Sequence, residues 1–557
     1  MPTDDFAERA AEGILGPNPF VGFTARDVVS TVQRIAEQAL KQPGAVVEQQ
    51  AAFVRDMIRI FSGQSELAPD AGDKRFQDPA WNSNPFYRFW LQSYLAWRKG
   101  LNAFIDHAGF DSINTARARF VLSLMTEALA PTNFLLGNTA ALKKLIDTGG
   151  GSLLQGFQNL LQDIATNGGM PAQVDKSAFQ VGKNLAVTPG SVVFRNEVCE
   201  LIQYAPASEQ VYARPMLFVP PQINKYYVAD LSPGKSLLEY AVKNGVQTFA
   251  VSWRNPTAKH RDWGLERYLY ALLEAMSATR EITGSRDLNV MCVCAGAITM
   301  MSLLAHLAAI ENDEVHSVTL MAALLDTHSE TQLGLFATKE SVALAKRKSQ
   351  LTGVLGGDEM GRIFAWLRPN DLVWNYWVNN YLMGNAPPTF DVLYWNNDST
   401  RLPAALHGEF LDLFLNNPFG NPGTVSVLGT PIDLRKITCD AYIVAGITDH
   451  ITPWKGCYST THLLGGNREF ILSSSGHIQS IINPPGNPKS KFFTRDGFPE
   501  SPDEWLSGAQ PHAGSWWEHW REWIGAHSGD SVAAPATRGS AEHPAREAAP
   551  GTYVFET

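Results

Sequence analysis

From Leu288 to Ile310 the chain reads LNVMCVCAGAITMMSLLAHLAAI, without one Asp, Glu, Lys or Arg. A stretch this apolar has two folds open to it: a bilayer span, or an element buried inside a large domain. Its internal pattern separates them. LNVMCV is strand-like and ITMMSLLAHL is helix-like, with the small residues Ala295, Gly296 and Ala297 between them. Asn289 and His306 are also poor company for lipid. The reading is a buried strand, a tight turn and a buried helix, with no transmembrane segment. Burying both elements takes a large sheet and many helices, which 557 residues at 45 % hydrophobic and 18 % charged content supply.

The flanking sequence provides that sheet. Beyond about Gly190 the runs VCELIQYA, RPMLFVP, VQTFAVSW, LNVMCV, HSVTLMA, DAYIVAG and REFILSS alternate with helical segments, the signature of a mainly parallel α/β sheet. Ahead of it, residues 1–190 read as a helical domain. Val28, Val29, Val32, Ile35, Ala36, Ala39 and Leu40 follow helical spacing, and Phe53, Val54, Met57, Ile58 and Phe61 repeat it after Pro43. A third helix carries Phe86, Trp90, Tyr94, Trp97 and Leu101 as a core-facing aromatic stripe. Within the α/β domain of residues 191–528, the span of about 326–436 has no sheet rhythm and is placed as a cap. Residues 529–557 are rich in Ala and Pro and are expected to be mostly disordered as far as Thr552.

Charge and cysteine usage remove other classes. A net charge of -10 lacks the basic footprint of a nucleic-acid binder. Five scattered cysteines do not form a secreted disulfide framework, and the acidic N-terminus carries no secretory pattern, so a reducing cytoplasm is expected. The histidines are dispersed, and no metal site or cofactor is expected.

The strand–turn–helix has the form of a nucleophile elbow, which lifts one side chain above a sheet and aims the next backbone N–H at a developing oxyanion. Here the lifted residue is Cys294. Asp449 follows the strand DAYIVAG and His477 follows REFILSS, giving the order nucleophile, acid, histidine of an α/β-hydrolase fold. His450 is the rival base, disfavoured because a later histidine is required. Cysteine beside histidine suits exchange with acyl thioesters, since sulfur both attacks and leaves well. The expected oxyanion donors are the N–H groups of Ala295 and of Ile223, in the loop PPQINKYY. Asn224, Trp395 and His450 are the expected substrate contacts.

PPQINKYYVADLSPGKSL, FAVSWRNPTAKHRDWGL, RPNDLVWNYWVNNYLMG, VLYWNNDSTRLPAALH, AGITDHITPWKGCY, SSSGHIQSIINPPGNPK and the terminal APGTYV together resemble the polyhydroxyalkanoate synthases over nearly the whole chain. Their wording is most similar to class II enzymes, which prefer medium-chain monomers. The resemblance implies an α/β-hydrolase catalytic domain behind a helical domain. It also implies polymerisation of (R)-3-hydroxyacyl-CoA, with Cys294 carrying the acyl group, His477 as base and Asp449 as its partner. CoA thioester is then substrate, not cofactor. A homodimer is expected, at the surface of polyester granules beside granule-associated proteins, with no nucleic acid. Trp374, Trp377, Tyr394 and Trp395 are placed in the cap or a dimer contact.

One departure is local. The family pattern Gly-x-Cys-x-Gly-Gly reads here as Cys292-Val293-Cys294-Ala295-Gly296-Ala297. Overpacking at Cys292 would cost on the order of 1–3 kcal/mol, so Cys292→Gly is expected to raise turnover, and Cys292 to compete with Cys294 or be oxidised with it. Two further readings keep this sequence: a thioesterase- or depolymerase-like hydrolase on the same triad, and a catalytically impaired granule partner.

Overall fold

A computed structural model describes residues 25–70, 72–327, 337–357, 359–361, 369–449 and 451–557. The chain divides into two compact units, one built on 176–364 and 390–557, the other on 22–175 and 365–389.

The second unit is helical: α1 (Ala25–Lys41), α2 (Pro43–Phe61), α3 (Pro85–His107), α4 (Ser112–Ala128) and α5 (Gly151–Thr166). Pro43 and Pro85 each open a helix, where a missing N–H leaves no bond unmade, and Asn84 caps α3 through the Phe86 amide. The aromatic stripe of α3 faces the core through Tyr94, Trp97 and Leu101 and leaves it at Phe86. Leu91, Tyr94 and Leu95 pack with Phe76, Trp81 and Ala130, whereas Trp90 and Trp97 are half-buried and Phe86 is 60 % exposed. Leu91 and Leu95 extend the buried face beside Tyr94, fitting between the larger rings.

The other unit holds a ten-stranded sheet. Its strands are β1 (Gly190–Arg195), β2 (Cys199–Tyr204), β3 (Met216–Val219), β4 (Thr248–Trp253), β5 (Leu288–Val293), β6 (Val315–Met321), β7 (Asp440–Gly446), β8 (Arg468–Ser473), β9 (Lys491–Thr494) and β10 (Gln510–Ala513). They lie in the order 1-2-4-3-5-6-7-8-9-10. Neighbours from β4 to β8 are parallel, and β1, β2, β9 and β10 pair antiparallel at the two edges. This is an α/β-hydrolase sheet. β5 lies near its centre, bonded to β3 and β6, and every one of its residues is buried. The helix after it, α6 (Ala295–Ala309), is buried on nearly every side. Burial on all faces is why both elements read as one charge-free run. No helix of the described residues is long and apolar enough to cross a membrane.

Two expectations are corrected. The insertion after Asp326 is not one cap, because residues 365–389 join the helical unit. Asn159 on α5 donates to the carbonyls of Asn380 and Asn385 (2.9 and 3.1 Å), Tyr381 donates to the buried Asp163 (2.7 Å), and Asn380 donates to the Ala172 carbonyl (2.8 Å). Trp374 and Trp377 therefore belong to the helical unit, while Tyr394 and Trp395 belong to the sheet unit.

The second correction concerns the tail from Gly529, which is ordered. Arg546, Glu547 and Ala549 exchange backbone hydrogen bonds with Val192 and Gly190 of the edge strand β1 (2.8–2.9 Å). The fully buried Glu200 carboxylate, paired with Arg195, accepts from the amides of Thr552 and Tyr553 (2.9 and 3.0 Å). Polar anchoring and an open strand edge supply what the tail lacks in large apolar residues.

Candidate active site

The turn from β5 into α6 holds Cys294 at φ +49°, ψ −120°. A non-glycine residue there costs roughly 1–3 kcal/mol of strain and persists only where its surroundings over-determine it. They do: the Cys294 amide donates to the Met321 carbonyl on β6 (3.1 Å), and its carbonyl accepts from Ala297 and Ile298 (2.9 and 3.3 Å). Its neighbours Val293 and Ala295 are buried, and Cys294 is half-exposed.

The tight spot of this elbow is Gly296. A Cβ there would lie 2.5 Å from the Pro220 carbonyl oxygen and 2.6 Å from that of Val219, both backbone atoms at the end of β3. This chain retains glycine at that point. Cys292, by contrast, is fully buried with its thiol donating to the Thr319 carbonyl (3.6 Å), and burial pushes the thiol's pKa far up. A neutral, enclosed thiol is a poor rival to Cys294. Cys292→Gly removes a buried sulfur instead of relieving a clash, so lower stability is expected of it and not faster turnover. Gly296→Ala is the damaging change: by displacing the elbow from β3 it should lower turnover on the order of 100-fold. Steady-state kinetics on the folded variant check this, and a loss under threefold would show that the two backbones part easily.

Gly446, the last residue of β7, plays the same part for the other two groups. A Cβ there would sit 2.5 Å from the Ser475 carbonyl oxygen, so the loops after β7 and β8 touch. Asp449 Oδ2 is 2.6 Å from His477 Nδ1, and both side chains are buried. Asp449 Oδ1 accepts from the amides of Ile451 and Thr452 (2.9 and 3.0 Å). The ring of His477, at the start of α7 (His477–Ile481), also interacts with the Cys294 side chain, which helps raise its pKa. Cys294, His477 and Asp449 thus form one chain of contacts, on the ends of β5, β8 and β7.

The electrostatics follow. Burial alone would lower the pKa of His477, yet the Asp449 charge, its hydrogen bond and the contact with Cys294 outweigh it and raise the pKa to about 10. Burial would raise that of Asp449, but His477 and the Thr452 hydrogen bonds hold it below the ordinary 3.8. The raised histidine contributes stability in full below its ordinary 6.5, lost as pH climbs toward about 10. The lowered acid contributes stability above 3.8 that is lost as pH falls. The urea midpoint of the wild type is therefore expected to decline from pH 6.5 to 10. In Asp449→Asn that decline should flatten, and an identical slope would show that the pair does not couple to folding.

Thr452 is a site residue that sequence reading passed over. Its hydroxyl donates to Asp449 Oδ2 (2.7 Å) and lies 3.1 Å from His477 Nδ1. The signal was present, since Asp-x-x-Thr lets a carboxylate accept from the two amides that follow it.

The loop after β3 is firmly held. Trp253 donates to the Pro220 carbonyl (2.9 Å), Gln222 to Thr299 on α6 (2.8 Å), and the Thr400 amide to the Ile223 carbonyl (3.2 Å). Ile223 and Asn224 are buried in it, and Asn224 bridges to Ser399. Trp395 is not presented to a substrate: it is 2 % exposed, and its indole N–H donates to the Lys225 carbonyl (2.8 Å). It anchors this loop. His450 lies outside the described residues. A cavity of about 330 Å³ opens beside α7, lined by Phe390, Val392, Ser475, Ile478, Gln479 and Lys489 among others, next to the triad and not at its reacting atoms.

Residues 72–241 match the family described as poly-beta-hydroxybutyrate polymerase (PhaC) N-terminus, and residues 224–484 match the alpha/beta hydrolase fold. Poly(3-hydroxyalkanoate) polymerase 1 of Ectopseudomonas oleovorans is 51 % identical over 553 residues, 99 % of either chain. Polymerase 2 of that organism is 51 % identical over 97 % of this chain and 96 % of its own. The poly(3-hydroxyalkanoate) polymerase subunit PhaC of Cupriavidus necator is 40 % identical over 92 % of this chain and 88 % of its own. At that identity over nearly the whole of each chain, this protein belongs to the poly(3-hydroxyalkanoate) polymerase family.

Proposed function

We propose that this chain polymerises (R)-3-hydroxyacyl-CoA into polyester, releasing CoA, through an acyl group carried on Cys294. The observation that carries the reading is the contact chain Cys294–His477–Asp449, with Cys294 half-buried at a positive-φ turn. His477, its proton affinity raised by Asp449, holds the proton taken from the Cys294 thiol, leaving the sulfur to attack the thioester carbonyl. The tetrahedral oxyanion is received by the N–H groups of Ala295 and Ile223. On collapse the C–S bond to CoA breaks, and the departing sulfur takes the proton from His477. For elongation, the 3-hydroxyl of one acyl unit attacks the thioester carbonyl of another. His477 removes the hydroxyl proton, and the released thiol recovers it.

A homodimer at a granule surface, beside granule-associated proteins in the cytoplasm, belongs to the same proposal. Exposed Val54, Ile58, Phe61 and Phe86 on α2 and α3 support a contact surface there. The test is incubation with (R)-3-hydroxydecanoyl-CoA, following thiol release, the mass of the Cys294 peptide and the size of chloroform-extracted product. Thiol release with an acylated Cys294 and polymer supports the reading. Free hydroxy acid would make the chain a hydrolase, and no release from folded protein given several chain lengths would make it a non-catalytic partner.

A further inference from the structure

Lys225 lies two residues beyond Ile223 and is 3 % exposed. Burial lowers its pKa, opposed by Asp398 and Glu556. A buried ammonium must find an acceptor or leave its loop under strain. Its Nζ donates to the main-chain carbonyl of Glu556 (2.6 Å).

Glu556 is itself held from several sides. Arg254 Nε donates to Oε1 (3.1 Å), the Asn255 amide donates to Oε2 (3.2 Å), and Asn255 Nδ2 shares the carbonyl that Lys225 uses (3.2 Å). Asn255 in turn accepts from the Arg401 amide (3.0 Å), and Arg401 Nη2 donates to the Thr557 oxygen (2.8 Å). Tyr553 lies under the Arg254 guanidinium, 4.1 Å from ring to cation. Residues Tyr553–Thr557 therefore tie together three pieces: the residues after β4, the loop after β3, and the Ser399–Arg401 segment whose Thr400 amide holds the Ile223 carbonyl.

We propose that Tyr553–Thr557 is a positioning element of the acyl-transfer site, fixing the Ile223 N–H by receiving the Lys225 ammonium on the Glu556 carbonyl. This rests on the reading above, in which Ile223 donates to the oxyanion. An oxyanion donor moved by a few tenths of an ångström loses its advantage in the transition state while ground-state binding changes little.

The chemistry offers a readout that a general loss of structure would not reproduce. Thioester turnover passes through an oxyanion, whereas alkylation of Cys294 by iodoacetamide displaces iodide at a saturated carbon and forms none. Lys225→Met and a chain ending at Phe555 are each expected to lower kcat for CoA release about 10- to 100-fold, with KM within about threefold and the alkylation rate within about twofold of wild type. Glu556→Ala keeps the carbonyl but loses Arg254 and Asn255, and should fall about three- to tenfold. Combining Lys225→Met with the truncation should be no worse than the poorer single change, because both break one link.

Wild-type kcat in the variants, alkylation that falls in step with turnover, or losses that multiply would each overturn the proposal. If the truncated chain does not fold, Lys225→Met and Glu556→Ala decide it. Wild-type protein that still turns over after Cys294 is fully alkylated would overturn the underlying reading, and the positioning role of Tyr553–Thr557 with it, without any variant being made.

Discussion

Serine at position 294 is expected to leave less than about one thousandth of the wild-type rate of CoA release, roughly 4 kcal/mol of barrier. The elbow would hold a hydroxyl as it holds the thiol, since its backbone is fixed by Met321, Ala297 and Ile298 and not by the side chain. Chemistry alone then changes. An alcohol gives up its proton far less readily than a thiol, and an oxygen ester is a poorer acyl donor than a thioester for the next transfer. Both halves of each cycle suffer, so the variant should also accumulate acyl-enzyme visible by peptide mass. Retention of more than about a tenth of the rate would mean that attack by residue 294 is not limiting.

Asp449→Asn is expected to lower turnover about 10³- to 10⁴-fold, through the tautomer as well as the charge. Oδ1 of Asp449 accepts from two backbone amides, so an asparagine places its carbonyl oxygen there and turns its NH2 toward His477 Nδ1. Nδ1 then becomes an acceptor, the ring carries its proton on Nε2, and it presents a donor to sulfur where a base is needed. With the carboxylate charge gone, the pKa of His477 should drop from about 10 toward its ordinary 6.5. The pH dependence of Cys294 alkylation reads this directly. A variant that loses less than tenfold and keeps the wild-type profile would show that Asp449 does not set the state of His477.

The parts of this site legible in the sequence share one cause. Strands buried on both faces admit few residue types, so VQTFAVSW, LNVMCV and DAYIVAG stood out, and the ends of the last two located Cys294 and Asp449. What escaped was held by polar backbone contacts or by edges. β9 (KFFT) and β10 (QPHA) are short, β10 carries a proline, and both lie outside the parallel core, where a ladder tolerates almost any composition. The order of the tail comes from the open edge of β1 and from Glu200, both more than three hundred residues away in sequence. The division of the insertion rests on Asn159 and Asn380 reaching carbonyls, a bond that any surface asparagine might have made. The elbow was misjudged for a related reason. The sequence lacks two of the expected glycines, but the backbone contact of the folded elbow falls on Gly296, where glycine is kept.

The helical unit takes its last piece, residues 365–389, from beyond some 190 residues of the other unit. At a synthesis rate of roughly 5–20 residues per second, α5 leaves the ribosome about 10–40 s before the segment that covers it. Through that interval Asn159 has no carbonyl to reach, Asp163 waits for the Tyr381 hydroxyl, and Gly156 faces an empty place where the Tyr381 backbone will sit. The first unit begun is thus the one that cannot be finished early. Its completion depends on a nascent chain that has already committed β1 to β6 of the other unit, which makes chaperone occupancy of α5 during translation a natural quantity to follow.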